Sequence, residues 1–181
     1  MKIMIIGSSG AGKSTFAREL GEILELPVYH LDYYFWKPGW QETPYEEWVD
    51  FNKNLVMKDK WIIDGYYGRT VEIRMQAADI IFFFDISPCI TTYRVLKRRI
   101  QYHGKSRPDL NEECPESLDW EFIKLGWNFR KMKRPGILEK LNKHSQTAKV
   151  IMIHHPKEAR RILNELHTKG SAYFEEIESS I

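Results

Sequence analysis

Cysteine is scarce: Cys89 and Cys114 are the only two in 181 residues. They cannot build a disulfide framework and lack the C-x-x-C spacing of a structural zinc site, so the chain reads as a reduced, cytoplasmic protein. Long apolar runs are equally lacking. The N-terminal run covers only 3–6 and the longest, 80–84, has five residues, far short of the roughly 20 residues that a membrane-spanning helix needs, and no secretory signal pattern is present. Nor does charge of one sign dominate, because 27 Lys+Arg stand against 25 Asp+Glu for a net +2. That balance excludes a disordered charged tail and a histone-like nucleic-acid coat. Internal repeats and low-complexity tracts are missing as well. What remains is an ordinary composition, 43% hydrophobic and 29% charged. The length fits one domain over 1–181, which buries about 70% of its unfolded surface.

Short apolar segments alternate with amphipathic ones, the pattern of a parallel sheet covered by helices on both faces. Strands are predicted over 2–6, 28–31, 61–63, 80–84 and 150–153, each nearly continuous in apolar residues. Between the first two, Phe16, Ala17, Leu20, Ile23 and Leu24 recur at helical spacing. Thr43, Pro44 and Glu46 form a capping-box signature ahead of Trp48, Phe51 and Leu55, which predicts a helix capped by Thr43. Another helix is predicted from Ser87-Pro88, with Ile90, Tyr93, Leu96 and Ile100 facing inward and Arg94, Lys97, Arg98 and Arg99 elsewhere on it. Residues 104–117 are polar with little to bury and read as a mobile excursion. Leu118, Phe122, Leu125, Phe129 and Met132 predict a helix ending before Pro135-Gly136, and further helices follow around Leu141 and Leu163.

Residues 7–14 read Gly7-Ser8-Ser9-Gly10-Ala11-Gly12-Lys13-Ser14, the G-x-x-x-x-G-K-[ST] pattern, with a predicted strand before it and a helix after it. The glycines let successive backbone N–H groups converge at the positive end of the following helix, and that spot suits a polyphosphate. Lys13 is expected on the β- and γ-phosphates of ATP and the Ser14 hydroxyl on Mg²⁺, with Thr15 bracing the turn. Three aspartates, Asp32, Asp64 and Asp85, directly follow predicted strands, where open α/β sheets place their chemistry. Each either holds Mg²⁺ or accepts a proton, or caps a turn; the turn reading is strongest for Asp85, just ahead of Ser87-Pro88.

The opening P-loop, the Asp64-Gly65 pair and the arginine-rich 94–100 stretch running into a polar flap resemble the small-molecule kinases of the adenylate kinase-related group. Within it, Arg94 to Ile100, Gly104 to Leu110 and Cys114-Pro115-Glu116 resemble the bacterial proteins labelled DNA topology modulation proteins. The resemblance covers roughly residues 1–168. It implies an α/β P-loop NTPase fold, a three-layer sandwich around a five-stranded parallel sheet of order 2-3-1-4-5, with an acceptor-binding segment near 33–60 and a lid near 104–117. It also implies that Asp64 organises Mg²⁺ and that Arg98, Arg99 and Arg107 stabilise charge on the transferred phosphoryl group. Arg69 stands one residue later than the matching signature arginine.

Adenylate kinases grip their acceptor with a threonine and an arginine, whereas this chain reads Asp32-Tyr33-Tyr34-Phe35-Trp36-Lys37, with no arginine before Arg69. Gripping a monophosphate falls to Lys37, Arg69 or Arg74. An acid there resembles kinases that phosphorylate hydroxyl groups, which makes Asp32 the candidate base. The aromatics from Tyr33 to Trp40, with Tyr66 and Tyr67, either line a pocket for a planar group or pack the acceptor segment onto the sheet. His154-His155 either touches adenine or forms a plain strand-to-helix turn. The expected activity is an ATP- and Mg²⁺-dependent phosphotransferase acting on a nucleotide, nucleoside or similar small acceptor. Two alternatives stay open: a nucleic-acid-binding regulator using the basic residues of 97–107 and 124–134, and a nucleotide-gated switch or ATPase without an acceptor.

Overall fold

A computed structural model describes residues 1–102, 114 and 120–177, leaving aside the Phe122 side chain. The lid expected near 104–117, Arg107 and Leu118 therefore lie outside the described residues, Cys114 excepted. Strand β1 spans Lys2–Gly7, β2 Val28–His30, β3 Trp36–Lys37, β4 Gln41–Glu42, β5 Trp61–Asp64, β6 Ile80–Phe84 and β7 Lys149–Ile153. The helices are α1 Lys13–Leu24, α2 Leu31–Phe35, α3 Tyr45–Val56, α4 Val71–Ala77, α5 Pro88–Gln101, α6 Trp120–Met132, α7 Arg134–His144, α8 Pro156–Lys169 and α9 Tyr173–Glu176. The main sheet is wholly parallel, in the order β2-β5-β1-β6-β7. With the small antiparallel β3–β4 hairpin set aside, its strands in chain order run 2-3-1-4-5, the expected arrangement.

Alternation along the strands separates two cores. Ile3, Ile5, Phe82 and Phe84 pack under α1 and α8 with Phe16, Leu20 and Leu166, and Tyr173 and Phe174 extend this cluster. Met4, Ile6, Ile63 and Phe83 face the other way, toward Trp48 of α3, Met75 of α4 and Leu141 of α7. Each such fully buried side chain contributes about 1.5–3 kcal/mol, so a sheet covered on both faces is what these runs of Ile and Phe dictate. The ladder pairs Ile5 with Asp64, His30 with Asp64 and Gly7 with Phe84. The P-loop, Asp64 and the end of β2 thus share one edge of the sheet. No described helix is long and apolar enough to cross a membrane.

Two local expectations fail for physical reasons. Helix α3 starts at Tyr45 with Pro44 as its cap residue. The Thr43 hydroxyl is spent instead on the Tyr34 and Phe35 carbonyls, at 3.2 and 2.7 Å. In α5, Tyr93 and Ile100 are exposed at 65% and 81%. The face turned to the P-loop carries Thr91, Arg94 and Val95 instead, because the neighbour there is polar backbone rather than core. Leu125 and Met132 of α6 are likewise exposed, while Phe129 packs edge-on against Tyr66 with ring centres 5.7 Å apart.

Candidate functional site

The turn from β1 into α1 owes its shape to glycine. Gly10 has φ 77°, and a Cβ there would strike the Thr91 carbonyl of α5. Gly12 has φ 98° and caps α1 with no side-chain hydrogen bond. Both angles are cheap only for glycine, and together they bring α5 against the loop and keep side chains off the start of α1. The helix dipole favours an anion there. Lys13 folds back over the loop and donates to the Ser8 carbonyl at 2.9 Å.

Asp64, at the end of β5, is 5% exposed. Its Oδ2 takes a hydrogen bond from His30 Nδ1 at 3.0 Å, while Oδ1 is buried without a partner. Burial pushes this carboxyl up, but the His30 hydrogen bond, the Lys13 charge and the Ser14 hydroxyl outweigh it and hold the group below its ordinary value. Asp64 is therefore ionised, with one oxygen unspent. A buried unpartnered acceptor is costly, and an Mg²⁺-bound water is a group that would satisfy it.

Asp32 lies in the first turn of the short helix α2. The Tyr67 hydroxyl donates to its Oδ1 at 2.7 Å. Tyr67 has φ 35°, a strained value outside glycine, and its ring is held by Phe35 and Trp48 at 4.6 and 5.0 Å. Burial, followed by the Asp32 charge, pushes the Tyr67 phenol far above its usual range, so it stays a donor.

A cavity of about 1110 Å³ joins these groups. Gly7 and the residues from Ser9 to Thr15 line it with Asp64, whereas Ser8 contributes only its carbonyl to Lys13. Arg18 and α8, through Pro156, Ala159, Arg160 and Leu163, line it from one face of the sheet. From the other come Asp32, Trp36, Trp40, Glu42, Tyr66 and Tyr67. Single-ligand pockets run to about 1,000 Å³, so this volume suits a nucleotide and a second small molecule side by side.

Among solved structures, the chain is similar to the shikimate kinase of Acinetobacter baumannii in complex with shikimate, at 13% identity over 94% of each chain with a TM-score of 0.59. That likeness establishes the fold. The chain is also similar to the shikimate kinase of Aquifex aeolicus, at 16% identity over 98% of this chain and 100% of that one with a TM-score of 0.48. A gluconokinase of Sinorhizobium meliloti shares 14% identity over 97% of both chains, with a TM-score of 0.49. No protein-family model and no curated protein matches the chain.

Several basic residues sit elsewhere than the sequence suggested. Lys37 pairs with Glu47 at 2.8 Å, Arg69 lies over the Tyr45 ring at 5.0 Å, and Arg74 is wholly buried. None of the three lines the cavity. Asp85 neither caps α5 nor faces the cavity; it binds Arg130 and Arg134 at 3.1 and 2.9 Å. Those contacts offset one of the two positive charges on the surface that the nucleic-acid reading needs. His155 caps α8, accepting from the Lys157 backbone at 3.2 Å, which is the turn reading of that pair. Arg98 lines the cavity, as does Arg94, which also donates to the Ala11 carbonyl at 3.2 Å. In the sequence Arg94 stands evenly between a solvated basic face and a phosphate-handling role, and its spacing of four from Arg98 puts both on one helix face. Tyr67 was missed as a partner of Asp32, a contact spanning 35 residues that no local signal reveals.

Proposed function

We propose that the protein is an ATP- and Mg²⁺-dependent phosphotransferase that moves the γ-phosphoryl group onto a small hydroxyl-bearing acceptor held beside Asp32. The carrying observation is a single cavity that joins a glycine-built phosphate cradle, an ionised Asp64 with an unspent buried oxygen, and a second carboxylate on the far side of the sheet. The shikimate kinase of the same fold supports the kinase reading.

Backbone N–H groups of 10–15 bind and orient the phosphates, and Lys13 exchanges its Ser8 carbonyl for phosphate oxygens. Ser14 and Asp64 would hold Mg²⁺, which would screen the charge of the phosphate chain. Asp32 takes the proton from the acceptor hydroxyl as the new P–O bond forms and the bond to the ADP oxygen breaks. Tyr67 fixes the orientation of the Asp32 carboxylate by donating to the oxygen not used for that transfer. Arg94 and Arg98 face the charge that spreads over the phosphoryl oxygens, with Arg107 proposed to join them. Chemistry of this kind is mainly alignment and electrostatics.

The test is ADP release across a panel of hydroxylated metabolites, nucleosides and nucleoside monophosphates. At least one acceptor is expected to raise turnover above that of ATP alone. Lys13→Ala is expected to lower turnover roughly 100-fold or more, the scale of losing a preorganised charge donor, with an unchanged circular dichroism spectrum. Equal turnover in the variant contradicts the proposal.

A further inference from the structure

The cavity is electrically divided. Its described cations, Lys13, Arg18, Arg94, Arg98 and Arg160, belong to α1, α5 and α8, where one acid of the lining, Glu19, pairs with Arg160 at 3.0 Å and leaves the others in excess. The α2 and hairpin side contributes Asp32 and Glu42 among aromatic rings and, among the described residues, no cation. The basic side chains of that neighbourhood are committed elsewhere: Lys37 to Glu47, Arg69 to the Tyr45 ring, and Arg74 to Asn52, Thr70 and the Tyr66 carbonyl.

The hairpin builds the acidic side deliberately. Trp36 and Glu42 are directly paired across β3 and β4, so their side chains leave the same face. Trp40, at φ 60°, bends back to set its ring edge-on to Trp36 with centres 5.3 Å apart. The result is a wall of two indoles with a carboxylate at its rim and the Asp32 carboxylate nearby in the same cavity.

Such a wall discriminates by charge. Indole faces take flat apolar surfaces and attract cations. Carboxylates accept hydrogen bonds from hydroxyl or ammonium groups but repel phosphate and carboxylate, and among the described residues of this side no cation offsets that repulsion. Resting on the phosphotransferase reading, we infer that the acceptor is a non-anionic alcohol, neutral or bearing an ammonium group, that packs into the corner of Trp36 and Trp40 and donates to Asp32 and Glu42. A nucleoside and a sugar or amino sugar share this chemistry. A nucleoside monophosphate and a sugar acid do not.

Matched probes separate these cases, read by quenching of tryptophan fluorescence on the full chain in Mg·ADP: adenosine against AMP, and glucose and glucosamine against gluconate. At least one neutral or ammonium probe is expected to bind 10-fold or more tightly than its anionic counterpart. Adenosine leading the ranking identifies a planar base as the stacking group; glucose or glucosamine leading identifies a sugar ring. Glu42→Lys is expected to narrow the preference at least 10-fold, and Glu42→Gln to shift it the same way by less. Tighter binding of the anionic member in each pair overturns the inference. So does an unchanged ranking in both variants, or no binding by any neutral or ammonium probe. Mg·ADP binding to the wild-type chain is measured separately by calorimetry. Its absence overturns the phosphotransferase reading itself, whereas its presence alongside an anion preference overturns only the acceptor class.

Discussion

Arg74 is a cation with neutral partners: it donates to Asn52, to Thr70 at 3.0 Å and to the Tyr66 carbonyl at 2.6 Å. Burial pulls its guanidinium down to about 9. The charge is tolerated because these contacts tie α4 to α3 and to the loop that carries Tyr67 onto Asp32. Arg74→Met keeps the length and removes the donors, leaving the Asn52 oxygen and the Tyr66 carbonyl unpaired. At about 1–3 kcal/mol for each buried unsatisfied group, offset by the desolvation the arginine no longer bears, the expected loss is about 2–4 kcal/mol in urea unfolding. A weaker grip on the acceptor should accompany it, because Tyr67 loses its support. An unchanged unfolding midpoint would show that Arg74 is a passenger. Glycine acts through conformation instead: Gly10 and Gly12 adopt angles that leave room for phosphate and for α5. That role was legible because the P-loop pattern is local, whereas the burial of Arg74 depends on α3, which no spacing within α4 announces.

Helices α4 and α7 are clasped by one acid. Glu72 accepts from Lys140, Lys143 and His144 at 3.0, 2.9 and 2.9 Å. The Lys143 hydrogen bond first, then His144 and Lys140, pull its carboxyl from 4.5 down to about 2. A folded-state value below the unfolded one means stability that is complete above pH 4.5 and lost as the pH falls toward 2. Thermal unfolding in that window is expected to drop more steeply for the wild type than for Glu72→Gln, and parallel curves would exclude the clasp. The elements themselves were unevenly legible. The strands could be read because burial on both faces leaves them nearly all apolar, as Ile80–Phe84 shows. Helix α5 follows its predicted apolar stripe only at its start: Ile90 packs on the core, whereas Tyr93, Leu96 and Ile100 point to solvent while Arg94 meets the P-loop. The β3–β4 hairpin and α4 are short, and contacts from distant residues support them, such as Cys114 on the Lys37 carbonyl and Arg74 on Asn52, which no local pattern announces. Residues after Gly170 carry weak periodicity, yet Tyr173 and Phe174 are buried and Lys149 donates to the Ile177 carbonyl at 2.6 Å.

At the scale of the whole molecule, the parallel sheet delivers Gly7, Asp64 and the end of β2 to one edge, and helices on both faces close the cavity around them. The cradle, Lys13, Ser14 and Asp64 were legible because strand, turn and helix follow one another directly in the chain. The electrical division of the cavity was not, because it depends on Lys37, Arg69 and Arg74 turning away toward Glu47, Tyr45 and Asn52. Asp85 illustrates the same limit: placed like its fellow strand-end acids in sequence, it spends its charge on Arg130 and Arg134. All of the proposed chemistry presupposes that the loop before α1 binds a magnesium nucleotide through Lys13. Isothermal titration of Mg·ADP into the wild type and into Lys13→Ala tests this directly. One site per chain is predicted for the wild type, with affinity lowered roughly 100-fold or more in the variant, about 2.8 kcal/mol by the tenfold-per-1.4 kcal/mol rule. No heat with the wild-type protein, or equal affinity in the two, would contradict the account.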